Sequence, residues 1–133
     1  MKQEIEKKKF TYRGKTIEEL KNLDVREFAK HLKSRQRRSV LRQFQKIENF
    51  VNRAKVKMDK NKPIKTHQRD LVIVPGMVGM KIHIHNGRNF VATDITDDML
   101  GHRLGEFSLT RAKIKHSKAG VGATKGSKFK SKK

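Results

Sequence analysis

Apolar residues in this chain recur first at spacings of three and four, then in alternation, and finally thin out. Those regimes predict helices, then strands, then a tail without regular structure. Thr16 with Glu19, and Asp24 with Glu27, have the spacing of two capping boxes, in which each side chain satisfies an orphan backbone N–H of the other residue. They predict two short helices, over 17–22 and 25–33, with Leu20, Leu23, Phe28 and Leu32 on the buried side. Val40, Phe44, Ile47, Val51, Ala54 and Met58 then form a helical stripe, which is expected to be core. The opposite face carries Arg42, Lys46, Arg53, Lys55 and Lys57, with almost no acid to pair with them.

After Pro63 the period changes. Leu71-Val72-Ile73-Val74 is a continuous apolar run stopped by Pro75-Gly76, which reads as a short buried strand. Lys81-Ile82-His83-Ile84-His85 alternates strictly, and Asn86-Gly87 is a hairpin signal because both positions tolerate positive φ. The return strand is expected over 89–95. A two-residue loop would set His85 opposite Arg88 and His83 opposite Phe90, with Ile82, Ile84 and Val91 on the other side. The His/Arg/Phe side is then a candidate RNA surface. Phe90 is either a stacking platform for a base or a second core residue, and the sequence leaves both open. Thr96-Asp97-Asp98 reads as the acidic start of a short helix ending at Gly101. The expected class is α+β, as one folded domain: a basic helical region over 1–62, an α/β core with a hairpin over 63–110, and a tail over 111–133.

Charge then decides what kind of partner the chain has. It carries 34 Lys+Arg against 13 Asp+Glu, a net +21 on 133 residues. Such a chain repels itself unless a polyanion neutralises it. Nucleic acid fits, because each phosphate contact also releases condensed counterions. A membrane surface would need a bulky amphipathic helix or a lipidation signal, and neither is present. Residues 111–133 hold nine Lys/Arg and no acid, with too few apolar side chains to offset the entropy of ordering. That tail is expected to be disordered until a partner neutralises it. Residues 30–57 form a second basic block, with ten Lys/Arg and Glu48 as the lone acid.

Other chemistries find no support in the residues. Cysteine is absent, which excludes disulfides and thiol catalysis and fits a cytoplasmic protein. No apolar run approaches a membrane span, and residues 1–9 are charged rather than signal-like. His83 and His85 project together from a strand but have no third ligand of suitable spacing, so no metal or other cofactor is expected. The run from Gly120 through Gly122 to Gly126 is one residue too long for a dinucleotide fingerprint and lacks the phosphate-loop spacing. No nucleophile elbow appears, and Asp97-Asp98 reads as a helix start rather than an acid–base pair, so neither catalysis nor a small-molecule substrate is expected.

Several strings resemble one family. They are Lys65-Thr66-His67-Gln68-Arg69-Asp70, Pro75-Gly76-Met77-Val78-Gly79, Asn86-Gly87 and Gly101-His102-Arg103-Leu104-Gly105-Glu106-Phe107. The family is ribosomal protein nineteen of the small subunit in the bacterial count, protein fifteen in eukaryotes. Lys9-Phe10-Thr11-Tyr12-Arg13-Gly14, Arg35-Gln36-Arg37-Arg38-Ser39, Lys115-His116 and Ala119-Gly120-Val121-Gly122-Ala123-Thr124 look like its archaeal and eukaryotic branch. The resemblance covers about residues 9–130. The chain departs from it at Gly76, where the family usually has an acid, and over 89–93, where a common proline is missing. Residues 40–60 match only loosely, and the last six residues are more basic than usual.

The resemblance implies a small three-stranded mixed sheet packed with helices, and a structural protein in the head of the small ribosomal subunit. It implies binding to the 3′ domain of the subunit's rRNA, a neighbour in small-subunit protein thirteen, and a C-terminal tail reaching toward the tRNA decoding region. Carried over by position, the RNA-contacting candidates are Arg35, Arg37 and Arg38, then Lys65, His67 and Arg69, then Asn86, Gly87, Arg88, His102 and Arg103. In the tail the candidates are Arg111, Lys113, Lys115, His116, Lys118, Lys125 and Lys128. Arginine can fork to phosphate, and His or Asn can bond a 2′-hydroxyl. A free-standing basic protein that binds or compacts nucleic acid is the alternative reading, which co-sedimentation with small subunits separates from the first.

Overall fold

The structure is a computed structural model that describes residues 9–115, 119–120 and 122–126. The chain opens with a two-stranded hairpin, β1 (Thr11–Tyr12) and β2 (Lys15–Thr16), paired antiparallel. Its turn places Arg13 at φ 48° and Gly14 at φ 81°, so both central residues are left-handed, as a tight hairpin turn demands. Nothing in the hydrophobic pattern announced this hairpin.

Both capping boxes form. Thr16 donates its N–H to the Glu19 carboxylate at 3.1 Å and accepts from the Glu19 N–H, which starts α1 (Ile17–Lys21). Asp24 donates its N–H to the Glu27 carboxylate and starts α2 (Val25–Ala29). That second helix is shorter than the expected 25–33. Beyond Ala29 the N–H groups of Lys30, His31 and Leu32 each bond the carbonyl three residues back, which tightens the chain. The Arg37 guanidinium then takes up the carbonyls of Ala29, Lys30 and Leu32, closing the helix end.

The long helix α3 (Ser34–Asp59) begins six residues before the stripe that announced it. Val40, Ile47, Val51 and Ala54 are buried as expected, joined by Phe50. Two stripe residues are not core. Phe44 is half-buried under the Arg26 guanidinium, 3.8 Å from its ring centre, and Met58 is 49% exposed.

The sheet is three-stranded and mixed: β3 (Ile64–Thr66) runs parallel to β4 (Lys81–His85), which pairs antiparallel with β5 (Phe90–Asp94). Its inner face sets Ile64, Ile82 and Ile84 against α3, in one apolar core that extends from Leu20 to Leu104. One expectation is corrected here. The run Leu71-Val72-Ile73-Val74 is buried but is no strand of the sheet: it bonds main chain to main chain with residues 101–104, with a single bridge from Val72 to Arg103. The third strand is Ile64–Thr66 instead.

The hairpin register is also shifted by two residues. His85 pairs with Phe90 and His83 with Ala92, across a loop of residues 86–89. The cause is the Asn86 side chain, whose Oδ1 accepts the N–H groups of both Arg88 and Asn89, while Gly87 alone takes positive φ, at 96°. A shift of two preserves sidedness, so the apolar and polar faces fall where the alternation puts them. The acidic turn at 97–99 is a 3₁₀ helix, Asp97–Met99, ahead of Gly101. No helix among the described residues is long and apolar enough to cross a membrane.

Candidate nucleic-acid interface

The described cations have few acids to answer them. Among the described residues the Lys/Arg–carboxylate ion pair is Lys81–Asp94 at 3.8 Å, and His102 Nδ1 is hydrogen-bonded to the Glu106 carboxylate at 2.8 Å. Two groups of basic side chains stand out.

The first gathering is the start of α3. No acid occupies its first turn, and Lys33 at the cap gives no side-chain hydrogen bond. Arg35, Arg38 and Arg42 are exposed there around Leu41, which is 46% exposed, in a shallow concavity. Cations at the positive end of a helix are unfavourable by themselves. The arrangement is relieved when an anion sits among them. The Arg103 guanidinium joins this edge, donating to Ser39 Oγ at 3.3 Å, and His102 lines the cleft beside Lys33 and Gln36. Arg37 lines the same concavity but differs from its neighbours, because its Nε and Nη2 donate to carbonyls at the end of α2.

The second gathering is the outer face of the sheet. His67, His85 and Phe90 form a triangle of rings with centroids 4.4, 5.1 and 4.9 Å apart, and Lys65 Nζ sits 5.3 Å from the Phe90 ring centre. Phe90 is half-exposed and stands outside the apolar core. Asn86, Gly87 and Arg88 form the hairpin tip beside it, where His85 Nδ1 accepts the Gly87 N–H at 3.1 Å. Among the described residues no three His, Asp or Glu side chains come together as a metal site would require.

Arg69, another candidate, is turned inward. Its guanidinium donates to the carbonyls of His85, Gly105 and Ser108. Arg37 and Arg69 therefore do structural work that sequence alone does not separate from phosphate binding, since both need the same planar donor fork. Sequence reading also left Arg53 and Lys57 outside the candidate set, although both line the groove between α3 and β3 next to Lys65 and His67.

The 101–107 string is likewise built for local structure. Gly101 takes φ 81°, and a Cβ there would meet Leu32 at 3.1 Å and the Tyr12 hydroxyl at 3.2 Å. A Cβ on Gly105 would meet the Arg69 backbone carbonyl at 3.0 Å, so glycine is required for the close approach of these two segments. Leu104 is buried, and Glu106 bonds both the Arg103 N–H and His102 Nδ1. In the tail, Arg111, Lys113, Lys115 and Lys125 are exposed and outside any helix or strand, while His116, Lys118 and Lys128 lie outside the described residues.

A small α+β core with one group of exposed cations at the start of a long helix and another beside partly exposed rings, with almost no acids between them, defines a basic nucleic-acid-binding protein. Its kinship is specific. The family profile of ribosomal protein S19 matches residues 26–116. The small ribosomal subunit protein uS19 of Methanocella arvoryzae is 48% identical over 127 residues, covering 92% of this chain and 86% of its own length. The chain belongs to the ribosomal protein S19 family, in its archaeal branch.

Proposed function

We propose that this chain binds rRNA in the head of the small ribosomal subunit through the start of α3 and the outer face of the sheet. A protein of this family is a structural constituent of the small subunit, serves translation in the cytoplasm and is not an enzyme. The observation that carries the interface is the group Arg35, Arg38 and Arg42, exposed around the acid-free first turns of a 26-residue helix. Charge-assisted forks to phosphate suit that arrangement. Lys65, His67, Arg88, His102 and Arg103 extend it, with Asn86 and Gly87 shaping the hairpin tip. Arg37 and Arg69 hold the frame from which these side chains project.

The 3′ domain of the rRNA is the proposed target, with small-subunit protein thirteen as neighbour. Residues 111–133, with Arg111, Lys113, Lys115, His116, Lys118, Lys125 and Lys128, are proposed to order on RNA and reach toward the tRNA decoding region. Stoichiometric co-sedimentation with small subunits through a high-salt wash tests this reading. Release at modest salt and spreading over bulk nucleic acid would support a free-standing compacting protein instead.

A further inference from the structure

We infer that the outer face of the sheet takes a single unpaired nucleotide, its base on the ring triangle and its phosphate in the groove between α3 and β3. The inference rests on the RNA-binding reading above and deepens it. Three observations converge on one spot.

The rings come first. His67, His85 and Phe90 lie within 5.1 Å of one another by centroid, and none of them is buried. One exposed and two partly exposed rings, held together at one end of the sheet, offer π-surface that a base can cover. A paired base in an A-form helix cannot reach them, whereas a splayed base can. Gly87 engages His85 Nδ1, which leaves Nε2 for another partner such as a base edge or a 2′-hydroxyl.

The groove comes second. It encloses about 270 Å³ and shares Lys65 and His67 with the ring triangle, while its far wall carries Arg53 and Lys57. Arg53 commits its Nε to the Asn49 carbonyl at 3.2 Å, which steadies the side chain and leaves its terminal nitrogens for an anion. Phosphate and base sites therefore adjoin through one lysine and one histidine.

The third observation is the charge of the surface. Asp94 is the acid on this face, and it is paired with Lys81 at the opposite end of the strands from His85 and Phe90. An acidic peptide would satisfy the cations equally well but gives the rings nothing to stack.

The experiment uses the full chain and a short single-stranded RNA carrying one 2-aminopurine, whose fluorescence falls when it stacks. The wild-type protein is expected to quench it and to prefer this strand to an RNA duplex of equal charge. Phe90→Leu keeps the bulk and removes the π-face. It is expected to abolish the quenching and weaken binding about 10- to 100-fold, with an unchanged salt slope and melting temperature. Arg53→Gln with Lys57→Gln should do the converse, flattening the salt slope while quenching persists at saturation. If Phe90→Leu melts early, His67→Ala, at an exposed position, decides the matter by the same readout. Unquenched binding by the wild type, or equal binding of polyglutamate, overturns the inference. Co-sedimentation with small subunits is scored in parallel, so the family function can stand while this site falls.

Discussion

The guanidinium of Arg69 donates to the main-chain carbonyl of Ser108, a residue 39 positions further along the chain. The same side chain holds Gly105 and His85, so it fastens the 101–107 loop and the end of β4 to the segment that leads into the sheet. Ser108, itself buried, adds a hydroxyl bond to the Ile84 carbonyl at 3.2 Å. The tail thus departs from a fixed point. Arg69→Ala should cost about 2–4 kcal/mol of stability, because three carbonyls lose a charged donor at once. Arg69→Lys should recover less than half of that, since an ammonium cannot fork to all three. Urea unfolding without RNA measures both.

Gly105 makes a second, sterically specific prediction. A methyl at this position meets the Arg69 carbonyl oxygen and Cβ, both at 3.0 Å and neither the far end of a flexible side chain, so Gly105→Ala should destabilise by about 1–3 kcal/mol. Gly120→Ala, with open space around its Cβ position, should leave the melting temperature unchanged. Equal melting of the two variants would refute the close packing of residue 105 on Arg69.

Neighbouring arginines on α3 should part company. Arg37→Ala removes the cap on α2 and should cost about 1–2 kcal/mol without RNA. Arg38→Ala should stay within about 0.5 kcal/mol of the wild type in stability and reduce the log–log salt slope of RNA binding by about 0.7–0.9. Parallel melts and salt titrations distinguish them.

Deleting residues 111–133 should leave the core melting within about 2 °C of the full chain, since none of the tail's described residues is buried. The salt slope should fall by about 0.7–0.9 for each phosphate that the tail no longer neutralises. An unchanged slope would show that the tail touches no phosphate in that assay.

These contrasts also explain what the sequence disclosed and what it withheld. Val40, Ile47, Val51 and Ala54 were legible because burial on a helix imposes a 3.6-residue period that few other constraints imitate. The faces of the hairpin were legible for the same kind of reason, but its register was not. Register depended on one Asn86 side chain satisfying two N–H groups, a choice that alternation does not encode. The burial of 71–74 was readable and its pairing was not, because an apolar run says nothing about which backbone it meets. Strand Ile64–Thr66 is too short to show a period. For the interface, the pattern gave the cations and left open which were engaged within the fold, as Arg37 and Arg69 are. Phe90 was found but not assigned, and its place beside His67 and His85 came only with the folded sheet.

The uncompensated first turns of α3 have one more consequence. Arg35, Arg38 and Arg42 crowd the positive end of a helix dipole on a chain already at +21, so before RNA arrives the fold works against its own field. Mobile ions screen that self-repulsion. Added potassium chloride should therefore raise the melting temperature of the naked chain while loosening its grip on RNA. Ionic strength pulls the two equilibria in opposite directions, and the chain is at its least secure when it is alone in dilute buffer.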